Sequence, residues 1–265
     1  MFDDWSMLKT IKPFSVIGHN IPDLDSMASA VAVAEILGGT PAKAGAIDFS
    51  SEKPWMDLGG PVLTDLCEPN LVLVDCRVSP VGGTVTSIID HHRVVPNDVP
   101  VPIIWANIGA TATLVAEYGL SMLSPATKRL LAAAIISDTK NLLSVRTTKR
   151  DIDMLPLLDK NWKDIIPAVF PVASTVPIEK WRVSGLKMLE GIPWAAGDGW
   201  GQPPDLDMIP EKTRGTFIFS WINMSNATTT VAIYKDGFLK KTIKLDYVAN
   251  RGEISRRILD EATTV

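Results

Sequence analysis

Two cysteines in 265 residues, Cys67 and Cys76, are too few for a disulfide framework, and they form no CxxC pair. Cys76 directly follows Asp75 and reads as a small buried filler rather than a thiol nucleophile. Positive charge is also scarce. Lys and Arg number 26 against 30 Asp and Glu, a net charge of −4, which argues against a general nucleic-acid or anionic-membrane binder. An anionic substrate remains compatible, because bound metal supplies local positive charge. No apolar run approaches the ~20 residues that span a bilayer. The start, Met1-Phe2-Asp3-Asp4-Trp5, is acidic where a secretory leader would be basic. These absences lead us to expect a soluble, cytoplasmic protein. No repeat or low-complexity tract stands out, and the length is ample for one large or two medium domains.

What is present is an alternation of short apolar runs and helical stretches. Phe14–Gly18 reads as a buried strand, and Ser26–Leu37 as a helix capped by Asp25 or Ser26 and closed by Gly38-Gly39. Ala42–Ile47, Leu71–Val74, Val85–Ile89 and Ile103–Ala106 read as further strands, with a short helix and loops in Pro54–Pro69. Gly109–Leu123 and Pro125–Ile136 read as helices, the second with Ser124 at its N-cap. Thr147 or Thr148 caps another, running into Leu158. This pattern predicts an α/β domain with a parallel sheet and helices on both faces over residues 1–158. The style then changes. Pro177–Leu189 reads as a helix and Gly191–Pro210 as a long loop. Thr216–Ile222, Thr228–Tyr234 and Leu239–Leu245 read as a mostly antiparallel meander, and Glu253–Glu261 as a closing helix. A smaller α+β domain is therefore expected over 159–265, with a hinge at Asp159–Lys163.

Four segments end in His or Asp: His19-Asn20-Ile21-Pro22-Asp23-Leu24-Asp25, Asp75, Asp90-His91-His92 and Asp138. Strand ends gather at one edge of a parallel sheet, so these side chains can meet. The chain has only three histidines, and all three fall in these clusters. Taken singly, Asp23 and Asp25 could be plain helix caps, and Asp75 and Asp138 ordinary acids at element ends. Taken together, they suit two divalent cations ~3.5–4 Å apart that share a carboxylate. Mixed His and Asp ligation suits Mn²⁺, Co²⁺ or Zn²⁺, and carboxylates alone suit Mg²⁺ better. Such a pair activates water and offsets the charge on phosphoryl oxygens, so hydrolysis of a phosphate ester or anhydride is the natural chemistry. A spare His beside the metals could protonate the leaving phosphate.

The stretches GHNIPDLDS at 18–26, LVLVD at 71–75, IIDHH at 88–92, GATATLVAEY at 109–118 and AAAIISDT at 132–139 together resemble the DHH phosphoesterase superfamily. The resemblance points to the branch of manganese-dependent (family II) inorganic pyrophosphatases and exopolyphosphatases. It implies an N-terminal DHH domain and a C-terminal domain of the DHHA2 type, for which Ser255-Arg256-Arg257 is the short signature. It implies roles as well. His19 and Asp23 would hold one ion, Asp25, His91 and Asp138 the other, with Asp75 between them. Asp90 would orient a histidine, and His92 would face substrate as the general acid. Arg256 and Arg257 would clamp phosphate through forked donors across a cleft that closes on substrate, and Lys187 would add a further contact. The implied cofactors are two divalent ions, Mn²⁺ first, with Co²⁺ or Mg²⁺ as alternatives. The implied partner is a small anionic phosphate compound, with no nucleic acid and no membrane, and the oligomeric state is left open.

The chain also departs from the pattern. Ile21 stands where the pyrophosphatases usually have Asn, Cys76-Arg77 where the family tends to have His-Asn, and Arg257 where it has Lys. The form Asp23-Leu24-Asp25-Ser26 is nearer the exopolyphosphatases. Arg77 could touch phosphate or make a salt bridge. Arg256 and Arg257 could equally lie on a solvated helix face, and Lys187 could be an ordinary surface lysine. Trp194 and Trp200 could stack on a base or simply pack. The expected activity is hydrolysis of pyrophosphate or short polyphosphate. The alternatives are a phosphodiesterase acting on a nucleotide or dinucleotide, and a non-catalytic phosphate-binding relative.

Overall fold

A computed structural model describes residues 8–92, 100–170, 187–189, 192–199, 216–236, 238–249 and 254. Two compact units result: Met1–Leu142 with Arg146–Val169, and Leu143–Val145 with Phe170–Val265. Among the described residues, no helix is long and apolar enough to cross a membrane.

The first unit is built on a five-stranded parallel sheet: β1 (Phe14–Asn20), β2 (Thr40–Ala44), β3 (Asn70–Val74), β4 (Thr84–Asp90) and β5 (Ile103–Trp105), in the order β2-β1-β3-β4-β5. β3 lies in the middle with Leu71, Val72, Leu73 and Val74 all fully buried, as a strand covered on both faces requires. β2 ends earlier than the sequence suggests because Gly45 turns the chain out of the sheet at φ +73°. β1 runs on past Gly18, since Asn20 still pairs with Ala44, and this carries His19 to the strand's last turn outward.

Helix α1 (Leu24–Leu37) follows β1, and every residue from Leu24 to Ala34 is buried. Its Ala and Ser residues let it approach β1 closely. A Cβ on Gly18 would lie 1.6 Å from Ser26 Oγ, so only glycine fits there. The N-cap is Asp23, two residues before the expected position: its side chain accepts from Ser26 N at 3.1 Å. The next helix, α2 (Phe49–Asp57), starts ahead of the stretch expected to hold it, with Pro54 inside. Helix α3 (Thr111–Gly119) gives way to a 3₁₀ turn at Leu120–Met122. Helix α4 (Pro125–Asp138) carries the expected Ser124 cap, and Glu35 reinforces it by accepting from Ser124 N at 2.5 Å. Helix α5 (Lys149–Leu158) starts from a capping box of Thr148 and Asp151. A 3₁₀ turn (Trp162–Ile165) and the short α6 (Ile166–Val169) complete the unit, α6 packing on α2 and α4.

The second unit holds β6 (Lys187–Leu189), β7 (Ile192–Gly199), β8 (Thr216–Asn223), β9 (Thr228–Lys235) and β10 (Phe238–Leu245), ordered β10-β9-β8-β7-β6. The meander of β8, β9 and β10 is antiparallel as expected, over a core of Ile218, Val231, Ile233, Leu245 and Ala249. Two expectations are corrected. Lys187 lies on a strand and not on a helix, and the supposed loop after it contains β7. β7 pairs with β6 antiparallel and with β8 in parallel, so both its edges are hydrogen-bonded. Ladder pairing of this kind overrides weak local propensity in a segment rich in Gly, Ala and Pro. The expected closing helix falls outside the described residues except at Ile254, as do Arg256, Arg257 and Trp200.

Candidate metal centre

The sheet order reverses direction between β1 and β3, and the carboxyl ends of such strands frame a crevice where ligands bind. Three of the four His/Asp segments are placed by this rule: His19 at the end of β1, Asp75 just past β3, and Asp90-His91-His92 at the end of β4. The N-terminus of α1 adds Asp23 and Asp25, and the C-terminus of α4 adds Asp138.

Asp75 is the meeting point. Its Oδ2 lies 3.5 Å from His19 Nε2, and its Oδ1 lies 3.4 Å from His91 Nε2. His19 Nε2 is also 3.3 Å from Asp23 Oδ2, and His91 Nε2 is 3.6 Å from Asp138 Oδ2 and 3.9 Å from Asp25 Oδ2. Two triads of ligand atoms result, His19–Asp23–Asp75 and Asp25–His91–Asp138, each gathered within 4.8 Å; Asp75, His91 and His92 form a third such group. Asp75 has φ +56°, a conformation uncommon for a residue with a side chain, and its N–H donates to Ile89 O at 2.9 Å.

The two histidines present the same nitrogen inward for the same reason. His19 Nδ1 is 2.9 Å from Asn20 O, and His91 Nδ1 is 3.1 Å from Ile108 O. A carbonyl only accepts, so Nδ1 carries the proton in each, the 3.1 Å bond at His91 outweighing the 3.4 Å approach of the Arg146 guanidinium to the same nitrogen, and Nε2 is left as the ligand atom. His91 Nε2 is buried and makes no hydrogen bond, an arrangement that costs free energy unless a cation takes the lone pair.

The charges agree. Burial raises the Asp25 carboxyl well above its usual range, helped by the charges of Asp75 and Asp138, and burial with Asp23 pushes Asp138 up to about 6. At His19 burial opposes protonation, but Asp23 and Asp75 outweigh it and raise the imidazole to about 11. At His91 burial is likewise outweighed, by Asp75, Asp25 and Asp138, and the ring rises to about 10. Asp75, despite its burial, is held low by His19 and His91. So many carboxylates in one buried place demand cations: protons on the histidines, or a divalent metal in their stead. The donor set of His nitrogen and Asp oxygen fits such a metal.

His92 stands beside this cluster, half of its side chain exposed, with Nδ1 2.8 Å from Asp90 Oδ1 and 3.6 Å from Asp75 Oδ1. Asp90 is fully buried; burial works against its charge, yet the bonds from His92 and Arg77 keep it low. Arg77 Nε donates to Asp90 Oδ2 at 2.7 Å, a salt bridge to a fully buried acid rather than one on the surface. Trp105 Nε1 donates to His92 O at 2.6 Å. Cys76 is half-buried, and burial pushes its thiol far up, away from the thiolate form.

Sequence reasoning missed one part of the centre. Thr111 N and Ala112 N, in the first turn of α3, donate to Asp25 Oδ2 and Oδ1 at 2.7 and 2.8 Å, and Thr111 Oγ1 donates to Asp75 Oδ1 at 3.1 Å. The GATAT stretch was visible as a motif, but backbone donors leave no letter in a sequence. Lys187 has its side chain outside the described residues, as do Arg256 and Arg257 entirely.

Residues 13–136 match the model of the DHH family, N-terminal domain. The manganese-dependent inorganic pyrophosphatase of Methanocaldococcus jannaschii is 32% identical over 160 residues, covering 52% of this chain and 52% of that protein. The corresponding protein of Methanothrix thermoacetophila is 33% identical over 167 residues, covering 55% and 53%. The chain thus spans about half the length of the curated relatives it matches. A solved Methanococcus jannaschii structure, assigned to the family II inorganic pyrophosphatases, superposes with a TM-score of 0.70 at 23% identity, covering 95% of this chain and 99% of that one. This likeness establishes the fold: a parallel α/β domain followed by a smaller sheet-bearing one. Over residues 13–136 the chain is thus similar to the N-terminal domain of the DHH family.

Proposed function

We propose that this chain hydrolyses the phosphoanhydride bond of inorganic pyrophosphate or of short polyphosphate at a centre of two divalent ions, Mn²⁺ in the first instance. The observation that carries the reading is the position of Asp75, one carboxylate oxygen turned to His19 and the other to His91. His19 and Asp23 hold one ion in this reading, and Asp25, His91 and Asp138 the other. The names of the curated relatives support both the metal and the substrate class.

Ions bound there supply Lewis acidity, offsetting phosphoryl charge and acidifying water. The chain's own groups do the rest. His92 in its imidazolium form donates its Nε2 proton to the leaving phosphate as the bridging P–O bond breaks. The water oxygen makes the new P–O bond, and the proton it sheds restores His92. Asp90 keeps His92 Nδ1 engaged, so that Nε2 is the nitrogen free to act. Residues 1–158 form the metal-binding catalytic domain in this reading, and 159–265 the substrate-binding domain. Arg256, Arg257 and Lys187 are its phosphate contacts, on the strength of the Ser255-Arg256-Arg257 stretch.

The test is phosphate release from pyrophosphate and tripolyphosphate with Mn²⁺, Co²⁺ or Mg²⁺, beside a dinucleotide and with Asp75→Ala as the blank. Release from either phosphate compound, lost in the blank, is expected. No release with any of the metals would remove the reading, and turnover of the dinucleotide alone would move the activity to a phosphodiesterase.

A further inference from the structure

One buried acid near the centre takes no part in that chemistry. Asp151 is fully buried, and its carboxylate accepts four hydrogen bonds. Thr148 N and Thr148 Oγ1 donate to Oδ2 at 2.8 and 2.7 Å, forming the cap of α5. The other two bonds reach across to the start of α3: Gly109 N donates to Oδ2 at 2.9 Å, and Thr113 Oγ1 to Oδ1 at 2.6 Å.

Those two donors bracket the turn that serves the metal centre. Between Gly109 and Thr113 lie Thr111 and Ala112, whose amides hold both oxygens of Asp25, and the Thr111 hydroxyl that holds Asp75. Just ahead of the turn is Ile108, whose carbonyl fixes the ring of His91. Three proposed ligands are thus oriented from one short piece of chain. The approach of Asp151 to the turn is close enough to exclude a side chain, since a Cβ on Gly109 would stand 2.9 Å from Asp151 Oδ2 and 2.6 Å from Thr139 Cγ2. A helix cap alone needs only the Thr148 bonds; the two bonds to the α3 turn go beyond it.

We propose that Asp151 is a positioning residue of the metal centre, latching the turn from Gly109 to Thr113 and through it setting how tightly the centre holds divalent metal. The inference rests on the metal-centre reading above. Outer partners of metal ligands typically change affinity ~10–100-fold when removed.

The test is the affinity for Mn²⁺ alone, read from the signal of free Mn²⁺ by electron paramagnetic resonance, with the thermal midpoint of the metal-free protein measured in parallel. Asp151→Asn puts an amide where the turn needs an acceptor, and should weaken Mn²⁺ binding about tenfold or more and change the visible spectrum of the Co²⁺ form. Thr113→Val cuts one of the two bonds between Asp151 and the α3 turn and should move affinity the same way by less. Thr148→Ala weakens only the α5 cap and should lower the midpoint while leaving affinity unchanged. Wild-type affinity in both Asp151→Asn and Thr113→Val would overturn the proposal and leave the carboxylate a cap. Should Asp151→Asn not fold, Thr113→Val decides. A wild type that binds no Mn²⁺ would bring down the metal-centre reading and this inference with it, and that outcome shows in the wild type alone.

Discussion

Asp75 and His92 sit 3.6 Å apart and are expected to fail in different ways when replaced. Asp75→Ala removes the carboxylate that faces His19 with one oxygen and His91 with the other, so it should lose metal and activity together. His92→Ala removes a half-exposed side chain outside the two triads built on His19 and on Asp138, so metal content should hold while turnover falls ~10²–10⁴-fold, the usual worth of a proton donor. Elemental analysis beside a rate assay separates the two, and a His92→Ala protein that lost its metal would contradict the role. The pH dependence also belongs to single residues. His19 and His91, raised to about 11 and about 10, carry protons at neutral pH while metal is absent. A metal arriving there must expel them, together with any proton on the Asp25 carboxyl that burial has raised, so binding should release at least ~2 protons and tighten as pH rises. Calorimetric titration in buffers of different ionisation enthalpy measures that release. For the metal-free protein the sign is opposite. Both folded values lie above the ordinary 6.5, so their contribution to stability is complete below that pH and is lost as pH climbs through about 10 and 11.

At the scale of elements, caps and close approaches decide where the site residues stand. Ser124 caps α4 and accepts from Thr127 N at 3.3 Å, and α4 ends at Asp138. Ser124→Ala should cost about 1 kcal/mol of stability. Its distance from the ligands predicts unchanged Mn²⁺ affinity, checked by chemical denaturation and metal titration. Much of this level was legible beforehand. The spacing of Asp23 and Asp25, the runs ending at Asp75 and Asp90, and the Ser124-Pro125 start all carry their meaning in residue type. Other elements were not. β7 has Gly, Ala and Pro where strands usually show alternation, and takes its form from neighbours on both sides. The left-handed turn at Asp75 is imposed on a residue that does not favour it. The reach of Asp151 leaves no mark in the sequence, because its bonds to Gly109 and Thr113 come from 42 and 38 residues away in the chain.

For the whole molecule, every described candidate ligand belongs to the first compact unit. Metal should therefore stabilise that unit selectively, by about 2.7 kcal/mol when Mn²⁺ stands at 100 times its Kd. Scanning calorimetry should show the transition of the first unit moving upward with Mn²⁺ while the other stays in place. A single transition that shifts as a whole would mean that the two units unfold together. The most direct test of the shared-carboxylate centre is the number of Mn²⁺ ions bound per chain, measured by equilibrium titration of metal-free protein. Two equivalents in the wild type, with binding abolished in Asp75→Ala, are predicted; one equivalent, or none, would contradict it.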